Sequence, residues 1–475
     1  MKRLALLLAV ALVACGDGRA PLPPPRLPLV PTPDEPFRAQ PPPVGPEAPF
    51  APPEVHPRAL DNGVTVMVAP RPGRQVASVC YVSRAAGIDD HHVVAGYVRL
   101  TTELMVTGHE VERLGGTTGH SPDDSRICLT LMPSELDAAL VALADAVQRP
   151  AFDAAAATLA RDRWLARVDD TLDARRQAQR WLLGEERTLG MPSDAVRAAL
   201  GRFDLQRARV THARVFSPAA SAVVVAGDVD ADAIAARIAE LFGAWRAEAP
   251  AAFPPTPPMA GPPAVEVVAH VEPRFQAGLA VAFAAPPRGS ADEAPFVVLE
   301  RILGKMFSSR LNLAIREGDG HSYGAYAGYA PMRNDGLLTV TTAVADSEAV
   351  RTVELLLWEI GRIQQTYVTE DELVAAKATA RQDARAALER TSTLVGALAE
   401  LFVGGHGPQR WASFDQQLAA VDAAAVLDVA RRYLPRRSPV VAIGSAAVVE
   451  ALARSRLRVQ LGHRSPHAPH GPPMR

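Results

Sequence analysis

One pattern that occurs twice constrains this chain of 475 residues more than any other feature. Asp204 opens a helix-like run that reaches Phe216-Ser217-Pro218 and leads into the apolar run Ala222-Val223-Val224-Val225-Ala226-Gly227. Val421-Asp422 opens a second run that reaches Tyr433-Leu434-Pro435 and leads into Pro439-Val440-Val441-Ala442-Ile443-Gly444. Asp and Gly stand 23 residues apart in the first copy and 22 in the second. The openings correspond too. Val64 to Val68 and Ala77 to Val82 alternate like strands ahead of a helix, as does Ala277 to Phe283 ahead of a helical run from Phe296 to Arg316. Long helical segments lie between, Ala154 to Leu183 in one copy and Glu370 to Phe402 in the other, the latter opened by Thr369 and Glu372 at capping-box spacing. Strands followed by groups of helices, twice over, predict an α+β fold of two homologous halves, each a pair of α/β sandwich layers with helices packed on sheets.

Proline sets the boundaries. Pro21 to Pro57 holds 16 prolines in 37 residues, a density that removes backbone donors and favours extended polyproline II over a packed core. As a tether it reaches up to about 110 Å at ~3.1 Å per residue; a proline-rich ligand for another domain is the alternative. A second cluster, Pro250 to Pro263, has seven prolines in 14 residues and divides the body. The expected organisation is a leader at 1–14, a tether at 15–57, a first half at 58–249, a linker at 250–263, a second half at 264–455 and a disordered tail at 456–475, where His463, His467 and His470 sit among prolines.

At 48% hydrophobic the chain can bury more than one core, and a net charge of −2 gives no field that would gather nucleic acid. No nucleic-acid partner is expected. Lys2 and Arg3 precede an apolar run from Leu4 to Val13, too short to span a bilayer, and then Leu12-Val13-Ala14-Cys15. This resembles a bacterial lipoprotein signal, which implies that Cys15 is lipidated, becomes the mature N-terminus and anchors the protein on the periplasmic side of an envelope membrane. An ordinary cleaved signal with a chance cysteine is the alternative, and in both cases the chain is exported. Cys80 and Cys128 each lie in an apolar, strand-like run. In an exported protein they either form a disulfide or stay as two buried thiols, and the sequence leaves both open.

The segment from Ser309-Arg310-Leu311 to Gly324 carries an Arg and a Tyr seven residues apart, Arg316 and Tyr323, with Gly304 shortly before. A guanidinium and a phenol favour negative charge building on a peptide carbonyl oxygen, but they cannot hydrolyse the amide alone. This stretch resembles the C-terminal half of the pitrilysin/insulinase metallopeptidases, the inverzincin family that includes the mitochondrial processing peptidase. The resemblance covers about residues 55 to 455. It implies a duplicated metallopeptidase-like fold forming a clam-like chamber, with Arg316 and Tyr323 contacting substrate opposite a zinc site.

In that family the first half carries His-x-x-Glu-His on a helix, after a Gly and before a Gly-rich region. Val93 to Thr107 supplies a suitable helix, with apolar Val93, Tyr97, Leu100 and Leu104 at spacings of four, three and four. Aligning Gly96 and Leu114-Gly115-Gly116 with the family's markers puts Arg99 and Glu103 at the two His positions and Thr102 at the Glu position. Zinc needs lone pairs from imidazole, thiolate or carboxylate, and hydrolysis needs a carboxylate to take the water's proton. Arg99 offers neither, stays protonated and repels a divalent ion. The family's third ligand, a Glu on the next long helix, falls near Arg167, with Asp169 and Asp170 close by. No metal is expected in this chain. Arg99 and Glu103, four apart on one helical face, can pair where ligands would stand; a solvated surface pair is the alternative. His91, His92, His109 and His120 surround the same helix without the ligand spacing of a zinc site.

In two-component members of the family, one subunit keeps the zinc motif while its partner lacks it and supplies the other pair. This chain matches the second kind. The resemblance therefore implies a non-catalytic, peptide-binding subunit of a two-component zinc metallopeptidase, paired with a zinc-bearing paralogous subunit that carries the cofactor. Two alternatives stand beside it: an envelope scaffold or peptide-binding protein with no proteolytic role, and a stand-alone metalloendopeptidase, which would need metal.

Overall fold

The computed structural model describes residues 49–84, 96–168, 172–247, 259, 265–317, 322, 324–435 and 438–462. Cys15 and the leader, the tether before residue 49, the linker apart from Met259, His91, His92, Asp169, Asp170, Tyr323 and the tail histidines lie outside these residues. No described helix is long and apolar enough to cross a membrane.

Strands β1 (His56–Ala59), β2 (Thr65–Pro70), β3 (Ala77–Ser83), β4 (Thr117–His120), β5 (Ser125–Leu131) and β6 (Ser221–Gly227) form one sheet in the order β1-β2-β6-β3-β5-β4. Strands β7 (Val267–Val271), β8 (Ala277–Ala285), β9 (Ala325–Pro331), β10 (Gly336–Val344), β11 (Val440–Gly444) and β12 (Val459–Leu461) form the other, in the order β12-β7-β11-β8-β10-β9. β2 runs parallel to β6 as β7 does to β11, while β3 and β8 run antiparallel to both neighbours. Five strands thus recur in one order, and the repeated Asp-to-Gly segments occupy equivalent places. Asp204 accepts from Arg207 N (2.8 Å) to start the Leu205–Val215 helix before β6, and Asp422 accepts from Ala425 N (2.8 Å) to start Ala423–Tyr433 before β11.

The long helical segments are broken, and the breaks are the most consequential departure from the sequence pattern. Ala154 to Leu183 is two helices, Ala154–Arg167 and Ala174–Leu183, and Glu370 to Phe402 is likewise two, Glu370–Ala386 and Thr391–Gly404. In each pair the first helix packs within its own half and the second crosses to the opposite sheet. Leu394, Val395, Leu398, Leu401 and Phe402 cover Met67, Cys80, Val82, Ala222 and Val224 of the first sheet. Ala174, Ala178 and Leu182 cover Val268, Ala280, Ala282, Val441 and Ile443 of the second. Each sheet therefore has its own helices on one face and a single borrowed helix on the other.

Polar contacts secure the exchange. Arg84 donates to the Phe402 carbonyl (3.1 Å) with its guanidinium 4.3 Å from the Phe402 ring, and the amide of Arg333 donates to Asp123 Oδ2 (2.9 Å). Arg187 pairs with Asp335 at 2.7 Å, and Leu172 N donates to Glu272 (2.8 Å).

Three further boundaries differ from expectation. The run expected as one helix from Phe296 to Arg316 is a helix Glu293–Glu300, a π-turn Arg301–Lys305, a short turn Arg310–Asn312 and a second π-turn Leu313–Glu317. Gly304 sits in the first π-turn because a Cβ there would come within 3.0 Å of the β9 backbone. Residues 50–57, expected as part of the tether, are instead packed: Phe50 and Val55 lie against the borrowed-helix cluster, with Arg385 5.1 Å over the Phe50 ring, and β1 pairs with β2. β12 falls inside the stretch expected as tail, where backbone pairing with β7 holds it.

β9 is an edge strand with its outer side closed. Ala325 N–H donates to Asn312 Oδ1 (2.9 Å) and Tyr329 N–H to Glu300 Oε1 (2.7 Å), while Pro331 has no donor and its carbonyl accepts from Arg288 (3.0 Å). Cys80 and Cys128 face each other across β3 and β5 and form a disulfide. Of the two alternatives left by the sequence, the bridge is the one present.

Two measurements check this account. The bridge closes a loop of 48 residues, so Cys80→Ala with Cys128→Ala lowers stability by about 4 kcal/mol in the chain-entropy estimate, read as a fall of roughly 5 °C in the thermal midpoint of a body this size. Leu398→Ala, at a fully buried site on a borrowed helix, costs about 2–5 kcal/mol by denaturant titration. Amides of both halves then lose exchange protection together.

Candidate functional site

The helix aligned with the family's zinc helix is Tyr97–Val106, which starts at Gly96 in a left-handed conformation with φ of 76°. Any Cβ at Gly96 would also come within 2.9 Å of Leu200, so glycine is required twice over. Tyr97, Leu100, Thr101 and Leu104 face the core and leave Arg99 and Glu103 on the outer side. Thr102 is fully buried, its hydroxyl donating back to the Val98 carbonyl at 2.8 Å. It has neither the exposure nor the basicity of a proton acceptor.

Arg99 and Glu103 come together through a third residue. The Nε of Arg99 stands 3.9 Å from Glu103 Oε1, too far for a hydrogen bond. Trp164, on the Ala154–Arg167 helix, donates its indole N–H to that oxygen at 2.9 Å, and the Arg99 guanidinium lies over the Trp164 ring at 4.1 Å. The indole thus binds the carboxylate at its edge and the cation on its face. Burial pulls the Arg99 pKa down, Glu103 opposes that shift, and the like charge of Arg167 adds to it. Arg167 therefore lies close enough to bear on Arg99. Trp164 was not singled out by sequence reasoning, although it stands one helical turn before Arg167 and its ring could have been placed on that face.

Of the histidines around the helix, His109 turns away and accepts from Ala151 N at 2.9 Å. His120, at the end of β4, contacts Ser125 Oγ through Nδ1 at 3.1 Å. Its pKa is pushed down to about 4, mainly by burial and then by Arg99, with Asp124 opposing. Among the described residues no group of three or more His, Cys, Asp or Glu is placed to hold a metal ion. The donor chemistry decides the fit. Among the described residues Glu103 is the one carboxylate in the cluster, it is engaged by an indole, and two guanidinium groups stand beside it, so these residues do not suit zinc.

Arg316 lies in the π-turn Leu313–Glu317, with its guanidinium 4.3 Å from the ring of Phe307, which is 64% exposed. The position sets a cation on the surface of the second half; Tyr323, seven residues on, lies outside the described residues. Tyr326 and Tyr329 do not join in one patch, because Tyr329 hydrogen-bonds the Pro286 carbonyl (2.7 Å) and packs on Phe296, whereas Tyr326 is exposed near Lys305.

The duplicated sheets and the exchanged helices define a scaffold of two equivalent halves. Residues 202–380 match a family model described as the peptidase M16 inactive domain. A Mycobacterium tuberculosis protein named as a zinc protease is 26% identical over 259 residues, 53% of this chain and 57% of that protein. The chain spans little more than half the length of that relative. A Mycobacterium leprae protein of the same designation is 24% identical over 426 residues, 85% of this chain and 94% of that protein. The solved peptidase M16 inactive domain from Pseudomonas fluorescens shares the fold with a TM-score of 0.74 at 20% identity, covering 82% of this chain and 98% of the other. The chain is thus similar to M16-type peptidases, through its residues 202–380 by sequence and over most of its length by fold.

The buried neutral His120 makes the first half acid-sensitive. Its folded pKa lies below the value near 6.5 of an unfolded histidine, so its contribution is complete above about pH 6.5 and is lost as pH falls from there to about 4. Unfolding midpoints therefore drop over this window, and His120→Gln gives a shallower pH profile.

Proposed function

We propose that this protein is a non-catalytic, peptide-binding subunit of a two-component zinc peptidase, contributing Arg316 and Tyr323 to a chamber closed by a zinc-bearing partner. The observation that carries this reading is the Arg99–Trp164–Glu103 cluster, which occupies the aligned metal position with cations and an engaged carboxylate. The match to a domain described as inactive agrees with it. So does the exchange of helices. Opening the two halves would expose the apolar faces under both borrowed helices, which for Leu394, Val395, Leu398, Leu401 and Phe402 alone costs on the order of 10 kcal/mol as an upper estimate. A chamber that opens and closes then requires a second chain.

In such a chamber Arg316 and Tyr323 would face a substrate carbonyl and favour the charge that develops on its oxygen. The zinc of the partner would supply the activated water. Export with lipid attachment at Cys15 fits the disulfide Cys80–Cys128, since disulfides persist in oxidising compartments.

Mixing this protein with a paralogous chain that keeps His-x-x-Glu-His, and following cleavage of a fluorogenic peptide, tests the proposal. Cleavage requires both chains, with zinc by elemental analysis in the partner alone. Arg316→Ala or Tyr323→Phe lowers kcat by about a hundredfold or more. Cleavage by this chain alone with stoichiometric bound zinc would establish the stand-alone peptidase instead.

A further inference from the structure

We infer that the surface formed by Arg99, Trp164 and Arg167 is a receptor for a peptide carboxylate. Arg99 is held without being satisfied. Its guanidinium is stacked on the Trp164 ring at 4.1 Å, its side chain is 47% exposed, and the nearest carboxylate oxygen lies 3.9 Å from Nε. That oxygen already accepts the indole N–H at 2.9 Å. A guanidinium clamped by its face presents its N–H groups edge-on in one plane, and two parallel N–H groups match the two oxygens of a carboxylate. Stacking also removes rotamer freedom before any ligand arrives, so less entropy is lost on capture.

The charges around Arg99 point the same way. Arg167 is exposed, sits one turn beyond Trp164 and repels Arg99, so among the described residues the cluster holds two permanent cations against the carboxylate of Glu103. An anion that enters relieves that repulsion, and a metal ion would increase it. Behind them, His120 lies close enough for Arg99 to bear on its titration, and its Nε2 is buried without a hydrogen-bond partner among the described residues.

The inference rests on the peptide-binding reading above for the nature of its ligand. The experiment separates the two. Full-length protein is titrated calorimetrically with N-acetyl tetra-alanine bearing a free C-terminus, with its C-terminal amide, with the amide whose last residue is Glu, and with acetate. The free acid binds about tenfold or more tightly than the amide, as expected for a charge-assisted pair. Arg99→Gln abolishes that difference, Arg99→Lys, which keeps the charge without the fork, recovers only part of it, and circular dichroism confirms that both variants are folded. A gain for the Glu amide equal to that of the free acid assigns the carboxylate to acidic side chains, and no gain assigns it to the chain terminus. Acid and amide binding equally would overturn the receptor and leave peptide binding standing. Acetate binding that depends on Arg99, with no added affinity from any peptide, would overturn the peptide as ligand. Failure of all four to bind would end both.

Discussion

A sheet with two apolar faces needs two covers, and neither half of this protein provides both. The helices of each half cover one face, and the other is covered by a helix that has crossed over, Ala174–Leu183 on the second sheet and Thr391–Gly404 on the first. Because hydrophobic burial is the dominant favourable term in folding, the exchange makes each half dependent on the other. Ser78 bonded to Thr391, Arg84 to the Phe402 carbonyl and Arg187 to Asp335 add direction to an otherwise non-directional contact. Everything else, the closed edge at β9 and the surface positions of Arg99 and Arg316 included, is placed on this doubly locked frame.

The altered metal position keeps the architecture of a site and changes its chemistry. The helix, its glycine start and its packing against the Ala154–Arg167 helix are those of a chain able to present side chains outward. What it presents is a cation on an indole face and a carboxylate on an indole edge. One aromatic residue joins the two helices there by electrostatics.

Much of this was legible from residue order. The repeated Asp-to-Gly segments predicted two equivalent halves, and both Asp residues cap the helices that precede β6 and β11. Arg99, Thr102 and Glu103 were singled out by the resemblance of their helix to the family's motif, and residue chemistry supplied only the reason they would not suit a metal. Trp164 was not singled out, because its contact with Glu103 spans 61 residues and depends on the crossing of two helices. The breaks in the two long helical segments were missed for a similar reason, since the second helix of each pair is placed by packing on the opposite sheet.

Sequence by itself determined the duplication and the helix caps, since both follow from the local conformational or chemical character of named residues. Tertiary structure decided which sheet each helix covers, that Cys80 pairs with Cys128, that β12 completes the second sheet, and that Trp164 stands between Arg99 and Glu103. The physical reason is range. Caps and turns are settled within a few bonds along the chain, whereas coverage of an apolar face, disulfide partnership and stacking are settled by proximity between segments, which exists only after the chain has folded.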